Sequence, residues 1–164
     1  MHIFQLAGFQ PQLQKVLTEF LLWDMYNFTT LNGSKNKPVP VLLDEAQNLD
    51  FKEASPTTKI LKEGRKFGWS AWFATQTLSS IKSGGGELAS LYNAAEQIHF
   101  QPTEDQVSKV ADTVGSSSDK KYYENELTNL HKGEAVVSGP VLNNDGTLVS
   151  TVEVVKVTSF ENRQ

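Results

Sequence analysis

The chain has 164 residues, 38% of them hydrophobic and 21% charged, with a formal net charge of -4. That balance belongs to globular proteins, and the length suits one core, so a single domain over residues 1–164 is expected. The absence of cysteine removes disulfide frameworks and thiolate metal sites, and the negative charge argues against a surface that attracts nucleic acid over its whole extent. No apolar run approaches the roughly 20 residues that span a bilayer, and the N-terminus has no basic signal flank. A cytoplasmic protein without a membrane role is the expectation.

In chain order, HIFQLAGF reads as a short strand leading to a turn at Gly8 and Pro11. Leu13, Val16, Leu17, Phe20, Leu21, Trp23 and Met25 follow with the spacing of a helix that has a broad apolar face. NGSKNKP is a turn-rich break. VPVLL, residues 39–43, is apolar at nearly every position and suits a strand covered on both faces. Ser55 and Pro56 mark a helix N-cap and first turn, and that helix runs through TTKILKEGRKF. WSAWFATQ, residues 69–76, is the next strand, SGGGEL a loop before a further helical stretch, and QIHF a fourth strand. Thr103 to Gln106 is a capping signal for the helix in PTEDQVSKVADTV. A polar linker then enters another helix in SSSDKKYYENELTNL, and GEAVVSG and TLVSTVEVVKV are strands around an NNDG turn. Strands alternating with helices predict an α/β fold, a mostly parallel sheet flanked by helices.

Chemistry concentrates where the VPVLL strand stops. Asp44 and Glu45 sit at the carboxyl end of a strand, where open parallel sheets bind ligands. An Asp followed by a Glu at such a tip is the arrangement of a Walker B element, the Asp holding Mg²⁺ through water and the Glu orienting the attacking water. The competing reading is an N-cap Asp beside a solvated Glu. Thr75 and Gln76 end the neighbouring strand, where an amide could stand beside a γ-phosphate and its lytic water, or simply begin a loop. Lys59, Lys62, Arg65 and Lys66 lie along one side of a helix. Such a face is ordinarily just solvated, although a guanidinium at Arg65 could also reach a phosphate on an adjoining subunit. His2, His99 and His131 lack ligand spacing, and Trp23, Trp69, Trp72 and Phe73 occupy apolar positions that suit a core better than base stacking.

VLLDEAQNL, KEGRKFGWSAWFATQ, IHFQPTEDQ and GEAVVSG together resemble the C-terminal half of the ATPase domain in HerA/FtsK-type DNA-translocating motors, over residues 39 to about 139. Among these motors, the DptH-like ATPases of phosphorothioation-dependent DNA restriction are also similar. The resemblance implies part of a P-loop NTPase (RecA-like) core, with Asp44 and Glu45 as Walker B, Thr75 beside the nucleotide, Gln76 as sensor glutamine and Arg65 as an arginine finger acting in trans. It further implies ATP and Mg²⁺ as cofactors of the parent motor, DNA as its track, a hexameric ring, and nuclease or restriction proteins as partners.

The chain departs from that pattern in having no G-x-x-x-x-G-K-[ST], and Gln5 stands where the family tends to carry an acid. The expectation is a piece of a motor that holds the hydrolytic half of the site, does not bind nucleotide tightly and is inactive alone. A non-catalytic interaction module keeping the motor fold is the alternative. A Mg²⁺-dependent nuclease built on Asp44 and Glu63-Gly64-Arg65 ranks below both, because Arg replaces the Lys of that chemistry and the acids fall on different elements.

Overall fold

A computed structural model describes residues 2–6, 8–76, 91, 94–115 and 118–158. The fold is mixed α/β and divides into two compact units, Met1–Asn93 and Ala94–Gln164.

The first unit is a βαβ arrangement with an additional long helix. Helix α1, Pro11–Asn32, starts with proline at its first turn, where a missing N–H costs nothing. Strand β1, Val39–Leu43, leads through a 3₁₀ turn, Ala46–Asn48, to helix α2, Pro56–Glu63. Ser55 caps α2 by accepting the Thr58 backbone N–H at 3.2 Å, as expected from the Ser-Pro pair. A second 3₁₀ turn, Gly64–Phe67, closes at Gly68 and delivers strand β2, Trp69–Phe73. Gly68 has φ +88°, and a Cβ there would lie 2.3 Å from the Ser34 carbonyl oxygen, so only glycine fits where the two loops cross.

Strands β1 and β2 pair in parallel, Val39 opposite Trp69 and Leu43 opposite Phe73. One face of the pair carries Val41, Leu43, Trp69 and Ala71, which pack with Leu22 and Tyr26 of α1 and Ile60 of α2. A buried hydrogen bond of 2.7 Å from the Trp69 indole N–H to the Thr29 hydroxyl pins β2 to α1. The opposite face is open: Leu42 is 71% and Trp72 52% exposed. Here the structure corrects the sequence reading twice. Among the described residues β1 is covered on one face rather than two, and Trp72 is not a core residue. A run of apolar residues records what a strand tolerates, whereas coverage depends on which elements pack against it.

HIFQLAGF also differs from expectation: residues 2–6 form no strand, and Ile3 and Phe4 are exposed. β-propensity alone does not make a strand when no neighbour supplies ladder bonds. α1 buries only Leu22, Tyr26 and Thr29 and leaves Leu13, Val16, Phe20, Phe28 and Leu31 exposed, a narrower contact than its sequence predicts.

In the second unit β3, Gln97–His99, is followed by α3, Glu104–Val114, and α4, Lys120–Asn129. α3 begins where the Thr103 signal placed it, with the Gln106 N–H bonded to the Thr103 carbonyl at 2.8 Å, although the Thr103 side chain makes no cap. β4, Glu134–Leu142, and β5, Leu148–Lys156, form a hairpin. Its tip is held by Gly146 at φ +81° and by Asp145, whose carboxylate accepts from the Thr147 N–H and hydroxyl. β3 adds antiparallel to β4.

The expectation of a mostly parallel sheet is therefore corrected. Among the described residues the parallel pairing is the two-stranded β1–β2 sheet, and the three strands β3-β4-β5 are antiparallel. A five-residue turn can only return a chain antiparallel to itself, since a parallel return needs a crossover of a dozen residues or more. The SGGGEL loop and most of the helical stretch after it lie outside the described residues.

Candidate functional site

The site forms at the carboxyl ends of β1 and β2. In a regular parallel ladder a residue donates its N–H to one carbonyl and accepts an N–H from two positions further along the partner strand. Ala74 instead donates to the Leu43 carbonyl at 2.9 Å and accepts from the Ala46 N–H at 2.8 Å. One extra residue is thus held between the two bonds, and Asp44 and Glu45 bulge out of the ladder. Such bulges re-aim side chains and recur beside active sites.

The extra residue requires an unusual backbone. Glu45 has φ 52° and ψ 44°, the left-handed region, and is the only non-glycine residue with positive φ among the described residues. For an L-residue with a long side chain that conformation costs roughly 1–2 kcal/mol. The surrounding bonds hold it: Glu45 donates its N–H to Asp44 Oδ1 at 2.9 Å, and its carbonyl accepts the Asn48 N–H at 2.9 Å.

Both oxygens of the Glu45 carboxylate are engaged. Gln76 Nε2 donates to Oε1 at 2.8 Å, and Gln47 Nε2 donates to Oε2. Thr75 Oγ1 donates to Gln47 Oε1 at 2.8 Å, which closes a network across the two strand tips. Four of the five residues picked out in the sequence, Asp44, Glu45, Thr75 and Gln76, are therefore brought together. Gln47 is the member that sequence reading missed. Its only sequence signal is its position two residues after Glu45, where a 3₁₀ turn folds it back.

Arg65 is not part of this cluster. It lies in the 3₁₀ turn that precedes Trp69, and Trp69 pairs with Val39 at the start of β1. With a rise of about 3.3 Å per residue, the ends of a five-residue strand are about 13 Å apart, so Arg65 lies toward the opposite end of the strands from the two acids. It is exposed and makes no ion pair among the described residues. The other cations of that stretch are occupied: Lys59 lies over the Trp23 ring, 4.9 Å from its centroid, Lys62 pairs with Glu53 at 3.8 Å, and Lys66 with Glu63 at 3.7 Å.

Asp50, on the loop after the 3₁₀ turn, is 18% exposed and pairs with Lys15 at 3.3 Å and Lys52 at 3.8 Å. Burial pushes its carboxyl up, but the Lys52 backbone N–H and the Lys15 ammonium outweigh that and hold it below the usual carboxylate value. The loop carrying the acids is thereby tied to α1.

Chemically, the tip offers a pair of exposed carboxylates, neither ion-paired among the described residues, backed by two amides and a hydroxyl. Asp44 Oδ1 is used by the Glu45 N–H, and Oδ2 has no hydrogen-bond partner among the described residues. Mg²⁺ commonly binds through one or two carboxylates, with water and substrate phosphate completing its shell, so the donor set fits that ion. Among the described residues no group of three or more His, Cys, Asp or Glu is placed so that it could hold a metal ion. No helix of the described residues is long and apolar enough to cross a membrane. No protein-family model matches the chain, and no curated protein matches it.

Proposed function

We propose that this chain carries the hydrolytic half of an ATP site of the HerA/FtsK type, in a motor that moves along DNA as a homo-oligomeric ring, with the triphosphate cradled by residues outside these 164. In this reading Asp44 holds hydrated Mg²⁺, Glu45 directs the attacking water, and Gln76 and Thr75 stand at the γ-phosphate. Service in DNA restriction alongside a nuclease partner belongs to the same proposal.

One observation carries it. The carboxylate at one parallel strand tip is hydrogen-bonded to the glutamine at the neighbouring tip, on a bulge that accepts backbone strain to put the acid there. Strain kept at an exposed polar residue supports a functional demand on Glu45 over a packing one. The position of Arg65 toward the far end of the strands supports action on a neighbouring subunit rather than on its own Glu45.

The test is Glu45→Gln in the assembled, ATP-hydrolysing parent. MgATP affinity stays within a few-fold while turnover falls about 10²- to 10⁴-fold, the usual worth of a positioned acid–base group. Equal loss of binding and turnover would sink the assignment. Arg65→Ala lowers turnover by about 10³- to 10⁵-fold if it is a finger, and mixing Arg65→Ala with Glu45→Gln subunits restores part of it at mixed interfaces. The 164-residue chain by itself hydrolyses nothing measurable.

A second reading, a non-catalytic interaction module, draws on the exposed apolar surface at Phe20, Leu31, Leu42 and Trp72. Under it, Glu45→Gln leaves the parent's turnover intact, while Leu42→Ser and Phe20→Ser weaken assembly.

A further inference from the structure

We propose, building on the ATP-site reading, that Gln47 is a positioning residue that sets the direction of the Glu45 carboxylate and takes its own direction from Thr75. A glutamine amide is asymmetric: Oε1 only accepts and Nε2 only donates. The Thr75 hydroxyl donates to Gln47 Oε1 at 2.8 Å, so the NH₂ group is turned to Glu45 Oε2. With Gln76 donating to Oε1 at 2.8 Å, the carboxylate is gripped from both sides, by the turn after β1 and by the tip of β2.

Bonds to a charged acceptor are stronger than neutral ones, and two of them leave one lone pair on each carboxylate oxygen for a water proton. Were the Thr75 hydroxyl withdrawn, the Gln47 amide would be held only from the carboxylate side and would lose the bond that fixes its oxygen. Its flipped form sets a carbonyl oxygen against the carboxylate and repels it. A change at the tip of β2 therefore reaches Glu45 as a change in carboxylate direction.

The experiment uses the isotope-labelled 164-residue chain and reads two NMR signals, the side-chain carboxylate carbon of Glu45 and the side-chain NH₂ of Gln47. Thr75→Val shifts both, Thr75→Ser keeps both near wild type, and Gln47→Met shifts the Glu45 signal. In the Gln47→Met background, Thr75→Val adds no further shift to Glu45, the signature of two residues acting in series. Intact folding is checked on amide signals of α1 and α2. A Glu45 signal unmoved by Thr75→Val overturns the proposal, and so does one that moves as far with Gln47→Met already present. In a hydrolysing parent, Thr75→Val and Gln47→Met each lower kcat roughly tenfold to a hundredfold, the loss of one bond to a charged group, with KM unchanged. Absence of hydrolysis in the wild-type parent sinks the ATP-site reading, and the NMR comparison still decides the linkage.

Discussion

Removing the hydroxyl that links α1 to β2 is the sharpest test of how the site is supported. Thr29 and Trp69 are 5% and 6% exposed, and the Trp69 indole N–H donates to Thr29 Oγ1 at 2.7 Å. Thr29→Val puts a methyl group where the hydroxyl was and orphans a buried donor. Valine and threonine have similar helix propensities, so the backbone term is small. The bond that Thr29 donates within its own helix, to the Tyr26 carbonyl at 2.9 Å, adds little because helix carbonyls already accept from the turn above. What remains is the desolvation of the unpaired indole N–H, about 1–3 kcal/mol. With a urea slope of about 1 kcal/mol per molar for a unit of this size, the midpoint drops by about 1–3 M.

Tryptophan fluorescence reads this cleanly, because Trp23, Trp69 and Trp72, all three tryptophans of the chain, lie in the first unit. Thr29→Ser keeps the hydroxyl and gives up only a methyl, so it retains most of the stability. A loss below about 0.5 kcal/mol for Thr29→Val would refute the reasoning. A serine variant as unstable as the valine one would refute it too, by showing that shape rather than the hydrogen bond matters at this position.

Gly68→Ala places a methyl against the Ser34 carbonyl in a left-handed backbone. It lowers the same fluorescence-detected stability by about 2 kcal/mol or more, and a neutral effect would mean the loop crossing is looser than drawn. His99, half-buried on β3, has its pKa lowered by burial. The contribution of His99 to the stability of the second unit is therefore fully present above about pH 6.5. It weakens as pH falls below that value, where the unfolded chain takes up a proton that the folded one refuses, and it stops weakening below the lowered folded value. Amide hydrogen exchange at Val136, its strand partner, accelerates over that window, and His99→Gln flattens the dependence; an unchanged slope in the variant assigns the titration elsewhere.

Local chemistry was legible in the sequence where a few neighbouring residues decide the outcome. Ser55-Pro56 started α2 and the NNDG segment made the β4–β5 hairpin, because caps and turns depend on φ, ψ and side-chain bonds within four or five residues. The convergence of Asp44, Glu45, Thr75 and Gln76 was also readable. Two apolar strands joined by a helix pair in parallel, and polar residues following each strand must then meet at the same edge. Packing decided the rest. Whether HIFQL becomes a strand, whether Leu42 and Trp72 are covered, and which neighbour β3 joins are settled by surfaces far away in the chain, to which an apolar run is indifferent. The extra residue at Glu45 and the return of Gln47 onto it arise from where Ala74 closes its two backbone bonds. That register belongs to the pair of strands, and neither strand carries it alone.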